Sequence, residues 1–275
     1  MTLFADHVLA RRLELHEGHG IAGSVKTLGV LKPDDGVAVE MVAGAYAIYA
    51  GASSPISRAI GLGMNGALSA AEVSQAEEFY LSRQTNVQID LCPLADASLK
   101  TLLNERGYQL GDFVNVWFRF IADYEATKAT AAGIKVRETE PADADAWIRS
   151  VSGGFVEREE LTEADMEVAT NFFHDTQTRC FLSIVDGQAA GGGALYIHEG
   201  IAALFSGSTL PNARGRGAQT ALVHARLEAA RDAGCELAVV KTAPGNASQR
   251  NVQRAGFHLA YTKVVMIREY SPANL

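Results

Sequence analysis

The sequence predicts a mixed α+β fold written twice in tandem. Three observations carry this expectation. Strands precede, flank and follow helices without strict βαβ repetition, as a mixed sheet requires. Each half closes on the same order of elements: a strand, a helix, a glycine followed by an aromatic residue, and a last strand. Between the halves lies Tyr124-Glu125-Ala126-Thr127-Lys128-Ala129-Thr130-Ala131-Ala132-Gly133, small and polar as an interdomain connection tends to be. The 275 residues allow two domains at roughly 100–200 residues each. Domains are therefore expected over residues 1–128 and 134–275.

In the first half, Ser69-Ala70-Ala71-Glu72 reads as a capping box that opens a helix. Residues 87–92 form a strand, and Asp96 caps a helix running to Arg106. Gly107-Tyr108 and an aromatic-rich strand over 113–120 complete the half. Trp117 and Phe118 are expected to fill a core. His16-Glu17-Gly18-His19 lacks the i, i+4 spacing of a zinc-binding helix and is read as a polar loop.

In the second half, residues 134–138 are a strand leading into a helix over 143–151. Residues 155–173 read as helical and acidic. Segments 180–185 and 189–197 form a hairpin around Asp186-Gly187. Within the second of these, Gly191-Gly192-Gly193 marks a bulge or close backbone packing. A strand over 201–209 runs into Pro211 and a Gly/Arg loop. The loop opens a long helix to Ala233, ended by Gly234. Val223, Leu227 and Ala230 give that helix a core-facing stripe, with His224 on its outer face. A strand over 236–241, a short helix, Gly256-Phe257 and a last strand over 261–268 follow. Gly256 to Arg268 and Gly107 to Arg119 are each 12 positions, which suggests duplication.

Composition narrows the function. Hydrophobic residues at 48% and charged residues at 20% describe an ordinary globular chain. With 24 basic against 32 acidic residues the net charge is −8. That leaves no global footprint for duplex nucleic acid or anionic lipid, and suits a cationic small partner. Cys92, Cys180 and Cys235 follow no metal or disulfide spacing, which argues for a reducing compartment. The N-terminus lacks the basic start and apolar stretch of a signal peptide. The longest uncharged run, residues 41–57, spans 17 residues against the ~20 a membrane helix needs. A cytoplasmic protein is expected, as a monomer or a homodimer.

The strongest local signal is Leu210-Pro211-Asn212-Ala213-Arg214-Gly215-Arg216-Gly217-Ala218-Gln219, between a strand and a helix. Glycines there let the backbone approach a ligand, and the first helical N–H groups lack internal partners. The helix dipole and two arginines make the turn suited to a phosphate or pyrophosphate. A solvated Gly-rich turn is the plainer alternative. No Gly-x-x-x-x-Gly-Lys-Ser/Thr occurs, and no Gly-x-Gly-x-x-Gly follows a first strand, which argues against P-loop, kinase and dinucleotide sites.

This segment resembles the acetyl-CoA-binding loop of the GCN5-related N-acetyltransferase (GNAT) superfamily, Arg/Gln-x-x-Gly-x-Gly/Ala after a strand and a proline. Pro211, Arg214 and Gly217 fall on that pattern. Asn246 and Gly256-Phe257 match the family's Asn early in the next helix and its later Gly-Phe. The resemblance covers about residues 134–270 and implies two GNAT-like acyl-CoA N-acyltransferase domains. It implies acetyl-CoA as co-substrate and no metal. Backbone groups of Thr209 and Leu210 would meet the pantetheine and the acetyl carbonyl. The N–H groups of Arg214, Gly215, Arg216, Gly217, Ala218 and Gln219, continued by Thr220, would cradle the pyrophosphate. Asn246, Ser248 and Asn251 would line the CoA arm.

Two positions depart from the family pattern. Gln219 replaces the last small residue, so its side chain must turn away or meet a phosphate. Gln253 stands where the family often has a tyrosine acting as general acid. Positioning and backbone polarisation of an already activated thioester can still supply much of the rate.

The implied reaction is attack of a neutral amine, of a small molecule or peptide, on the thioester. It needs a route for the ammonium proton. His198 and Glu199 suit that task by type but fall in a hairpin turn. Ser206 is better placed but is a poor base, so no base is assigned. Glu157, Glu159, Glu160, Glu163, Asp165 and Glu167 lie where the family's first helices border the acceptor; they would attract a cationic amine or form a solvated face. In the first half, Arg58-Ala59-Ile60-Gly61-Leu62-Gly63 repeats the signature, but its helix begins only at Ser69. A degenerate half that shapes the acceptor cleft is expected. A non-catalytic acyl-CoA-binding or sensing module is the alternative to an enzyme. A structural domain that has lost the cofactor is a third reading.

Overall fold

The computed structural model describes residues 4–125, 133–156 and 160–271. The fold is mixed α+β, as the element pattern predicts, and it divides into two compact units. The first comprises the residues up to Val116 together with those from Leu259 onward; the second runs from Trp117 to His258. The units therefore do not follow the expected halves, because the last strand of the chain packs with the first half.

In the first unit, helix α1 (His7–Leu31) precedes strands β1 (Ala38–Val42), β2 (Ala45–Tyr49) and β3 (Ala59–Ile60). Helix α2 (Ala70–Leu81), strand β4 (Val87–Leu91), helix α3 (Ala97–Glu105) and strand β5 (Gln109–Phe120) follow. The capping box forms as read: Ser69 accepts from the Glu72 N–H, and the Glu72 carboxylate accepts from the Ser69 N–H at 2.8 Å. Asp96 caps α3 through the Ser98 N–H at 2.9 Å. Strand β11 (His258–Arg268) pairs antiparallel with β4, from Val264 opposite Leu91 to Arg268 opposite Val87. The strand order in this unit is β1-β2-β3-β4-β11-β5.

His16-Glu17-Gly18-His19 is not a loop but the middle of α1, with His16 and Gly18 buried. Ala10, Leu13, Ala22, Val25 and Leu28 supply a stripe at helical spacing that carries the polar residues with it. Gly18 is required by proximity, since a Cβ there would lie 2.4 Å from the Tyr46 ring.

The second unit begins at Trp117, so the end of β5 belongs to it. Strand β6 (Ile134–Glu138), helices α4 (Ala144–Val156) and α5 (Glu163–His174), and strands β7 (Thr178–Val185), β8 (Gln188–His198) and β9 (Ile201–Thr209) follow. Helix α6 (Ala218–Asp232), strand β10 (Leu237–Thr242) and helix α7 (Ala247–Arg254) complete it. The strands lie in the order β10-β9-β8-β7-β6, with the end of β5 beside β10. Of these pairs β9–β10 is parallel, while β6–β7, β7–β8 and β8–β9 are antiparallel.

The core of this unit gathers Trp117, Phe181, Leu195, Leu222, Leu227 and Phe257. The helix expected over 155–173 starts only at Glu163, where Thr162 and Asp165 form its capping box, while residues 155–156 end α4. Tyr124, read as linker, is 6% exposed and belongs to the core. It stacks on His224, which is half-buried rather than on an outer face. Linker residues 126–132 and acidic residues Glu157 and Glu159 lie outside the described residues.

Candidate functional site

The site is built around an irregularity in β9. Opposite β8, Gly192 faces Ser208 and Ala194 faces Phe205, so Ser206 and Gly207 together oppose the single residue Gly193. That is a β-bulge, and Ser206 accommodates it at φ +48°. On its other side β9 pairs with β10 from Ile201–Leu237 to Leu204–Val240. Beyond Leu204, β9 continues for five residues without a parallel partner among the described residues. The bulge and the end of pairing coincide, which leaves the β9 backbone from Phe205 to Thr209 without a strand neighbour on the β10 side among the described residues.

The triple glycine of β8 is explained by what presses on it. A Cβ on Gly191 would lie 2.3 Å from the Ser208 carbonyl oxygen, and one on Gly192 would lie 2.8 Å from Trp147 Nε1. A Cβ on Gly193 would meet the Arg226 guanidinium at 2.7 Å. Arg226 lies beneath the bulge, 2% exposed, donating from Nη1 to Phe205 O at 3.1 Å and Ala194 O at 3.2 Å. Its Nε donates to Leu222 O at 3.0 Å. Nothing in a motif marks Arg226. Its signal was a charged residue inside the stripe Leu222, Val223, Leu227 and Ala230, where an apolar residue is expected.

Helix α4 covers the end of β9. Ser208 Oγ reaches Ser150 O at 3.1 Å and Val151 O at 3.0 Å. Arg214 braces the following loop to the same two elements, through Nε to Thr209 O at 3.2 Å and Nη2 to Gly154 O at 3.0 Å. Leu210 is already engaged on both sides, its N–H by Ala190 O and its carbonyl by the Ala213 N–H, each at 2.9 Å. The Arg214 N–H is likewise held by Pro211 O at 3.3 Å. A ligand meeting these groups would compete for them.

From Gly215 onward the loop is open. Gly215 and Gly217 hold φ +75° and +97°, and a Cβ on Gly215 would meet nothing within 4 Å. Gly217 is the N-cap of α6 and has no side chain to cap it, so the first-turn N–H groups of Ala218, Gln219 and Thr220 receive no side-chain cap. Arg216 pairs with Asp186 at 2.5 Å on the surface. Gln219 turns back toward the strand, where its Oε1 accepts from Thr209 Oγ1 at 3.2 Å. This arrangement fits an anion: open backbone donors at the positive end of a 15-residue helix.

Other expected residues are placed as follows. The Asn246 side chain caps α7, accepting from the Gln249 N–H at 2.8 Å, while Ser248 and Asn251 are half-buried on the same helix. Gln253 is exposed there. His198 ends β8 and Glu199 lies in the β8–β9 turn; β9 runs five residues from Ile201 to Ser206, roughly 17 Å, before it reaches the bulge. Glu160 and Glu163 are exposed, and Asp165 is engaged in the Thr162 capping box.

The repeated signature of the first half has a different environment. Gly61 and Gly63 are buried, and Gly63 O accepts from the Asp96 N–H at 2.9 Å. The α2 start is closed by Ser69 and Glu72. Arg58 faces Asp90 at 3.4 Å. Asp90, Glu14 and Glu17 place carboxylate oxygens within 4.8 Å of one another, and Lys263 Nζ stands among them at 2.8, 3.2 and 2.8 Å. Burial opposes the charge on Lys263, but Asp90, Glu14 and Glu17 outweigh it and hold the ammonium well above its ordinary pKa. Burial pushes Glu14 up against the pull of Lys263. In the sequence only Arg58 and Glu17 stand out, each in a different motif; Glu14, Asp90 and Lys263 do not, because their partners come from opposite ends of the chain.

Residues 144–257 match the acetyltransferase (GNAT) family. A GCN5-related N-acetyltransferase from Kribbella flavida is similar over 92% of this chain and 96% of its own, with TM-score 0.65 and 16% identity. A GCN5-related N-acetyltransferase from Sphaerobacter thermophilus covers 94% and 92%, with TM-score 0.61 and 17% identity. A tandem GNAT protein from the clavulanic acid biosynthesis pathway covers 77% and 71%, with TM-score 0.57 and 17% identity. No curated protein matches this chain. Among the described residues no helix is long and apolar enough to cross a membrane.

Proposed function

We propose that this chain, whose residues 144–257 match the acetyltransferase (GNAT) family, moves an acetyl group from acetyl-CoA to a primary amine of a small molecule or peptide. The observation that carries the reading is the succession of the β9 bulge, the open Gly215–Gly217 turn and the uncapped start of α6. Acetyl-CoA supplies an activated thioester. The N–H groups from Gly215 through Thr220 hold its pyrophosphate, with Arg216 adding charge nearby. The β9 backbone beyond Leu204 orients the acyl arm, and α4, packed on Ser208, limits water at this end of the strand. The amine forms its bond to the acyl carbon as the carbon–sulfur bond breaks; its proton leaves to water, and the coenzyme departs as the thiol. Gln253 carries no acidic proton, so solvent protonates the leaving sulfur.

The first unit is read as a degenerate partner without coenzyme. Its loop glycines are packed and its α2 is capped by side chains. Calorimetric titration with acetyl-CoA tests both statements. One site per chain with turnover on an amine panel supports the reading. Two sites return the Arg58 loop to consideration, binding without turnover leaves an acyl-CoA-binding module, and no binding sinks the proposal.

A further inference from the structure

Arg226 is a buried cation to which acyl transfer, as described so far, assigns no task. Burial pushes its pKa down to about 10, which still leaves it charged at neutral pH. No acidic group offsets that charge among the described residues; its partners are the carbonyls of Ala194, Phe205 and Leu222. A buried unpaired charge is expensive, and a methionine would fill the same place in the α6 stripe more cheaply. Two strands are also shaped to admit it. Gly193 leaves room on β8, and a Cβ on Gly207 of β9 would lie 3.2 Å from Nη2.

We propose that Arg226 is a positioning residue for acyl transfer: its guanidinium fixes the β9 bulge and keeps a positive charge beneath the backbone that meets the acyl carbonyl. This rests on the acetyl-CoA reading above. A bulge leaves ladder groups unpaired, and Nη1 closes it by bridging the carbonyls of Ala194 and Phe205, residues that face each other across the strands. Because a peptide unit is planar and trans, pinning the Phe205 carbonyl toward Arg226 directs the Ser206 N–H to the opposite side. The donor orientation is thus set before any ligand arrives, which is where such groups gain their effect. As the amine attacks, the carbonyl oxygen gains negative charge, and a cation in a water-poor interior lowers that cost.

The test is infrared difference spectroscopy of acetyl-CoA carrying a 13C carbonyl, bound to the full-length protein, beside calorimetry with free CoA. In the wild type the bound thioester stretch moves to lower frequency. In Arg226→Met most of that shift is lost, while CoA affinity stays within about threefold because the Gly215–Gly217 loop is untouched. If Arg226→Met does not fold, Gly193→Ala displaces the guanidinium from the opposite strand and carries the same expectation. An unchanged shift in a folded variant, with only the melting temperature lowered, overturns the proposal and leaves the acetyl-CoA reading standing. Failure of the wild type to bind CoA overturns both.

Discussion

Thr209 Oγ1 donates to Gln219 Oε1 at 3.2 Å, tying the last residue of β9 to the first turn of α6. Gln219 replaces a small residue of the acetyl-CoA loop pattern, and this bond turns its side chain away from the loop mouth. Gln219→Ala should therefore change acetyl-CoA affinity by less than about threefold. A loss of tenfold or more in calorimetry would mean that the side chain contacts the coenzyme instead.

Gly217→Val should abolish measurable coenzyme binding, a loss of at least about tenfold, or 1.4 kcal/mol. A β-branched residue is strained at φ +97°, at a cost of order 1–3 kcal/mol, and crowds the donors. Far-ultraviolet circular dichroism should show the fold retained. Wild-type affinity in the folded variant contradicts the placement of the pyrophosphate.

Removing Lys263 should be severe. Lys263→Met leaves Glu14, Glu17 and Asp90 without their shared cation in a buried place, at a cost on the order of 3–5 kcal/mol in urea unfolding. Adding Glu14→Gln removes one of the stranded charges and should restore part of the loss. No recovery in the double variant would show that the carboxylates do not repel one another there.

Asp143 accepts two hydrogen bonds from Arg137, at 2.6 and 2.7 Å, and this pairing lowers its pKa to about 2. Its folded value lies below the ordinary 3.8, so the stabilisation is present above pH 3.8 and is lost as pH falls toward 2. The Arg137 side chain is half-exposed, so water screens the pair and its contribution to stability is small. In Arg137→Ala, a nuclear magnetic resonance titration should find Asp143 back in the ordinary carboxylate range.

The three cysteines should be inert in the folded protein. Burial pushes Cys92 and Cys180 up to about 12 and raises Cys235, so little thiolate forms near pH 8. An aromatic disulfide reagent should label them only on addition of guanidinium. Rapid labelling of native protein would show that one of these sites opens locally.

The local elements and the glycine loop before α6 are legible in one dimension. Ser69 with Glu72, Asp96, the Asp186-Gly187 turn and the glycines before α6 act through neighbours a few residues away, so their pattern survives in one dimension. Which strands share a unit is not legible there. Strand pairing joins residues as distant as Leu91 and Val264, and no local propensity encodes that choice. The same holds for Arg226 and Lys263. A charge on a helix stripe or a strand reads as solvated until the fold shows carbonyls or carboxylates arriving from far along the chain to meet it.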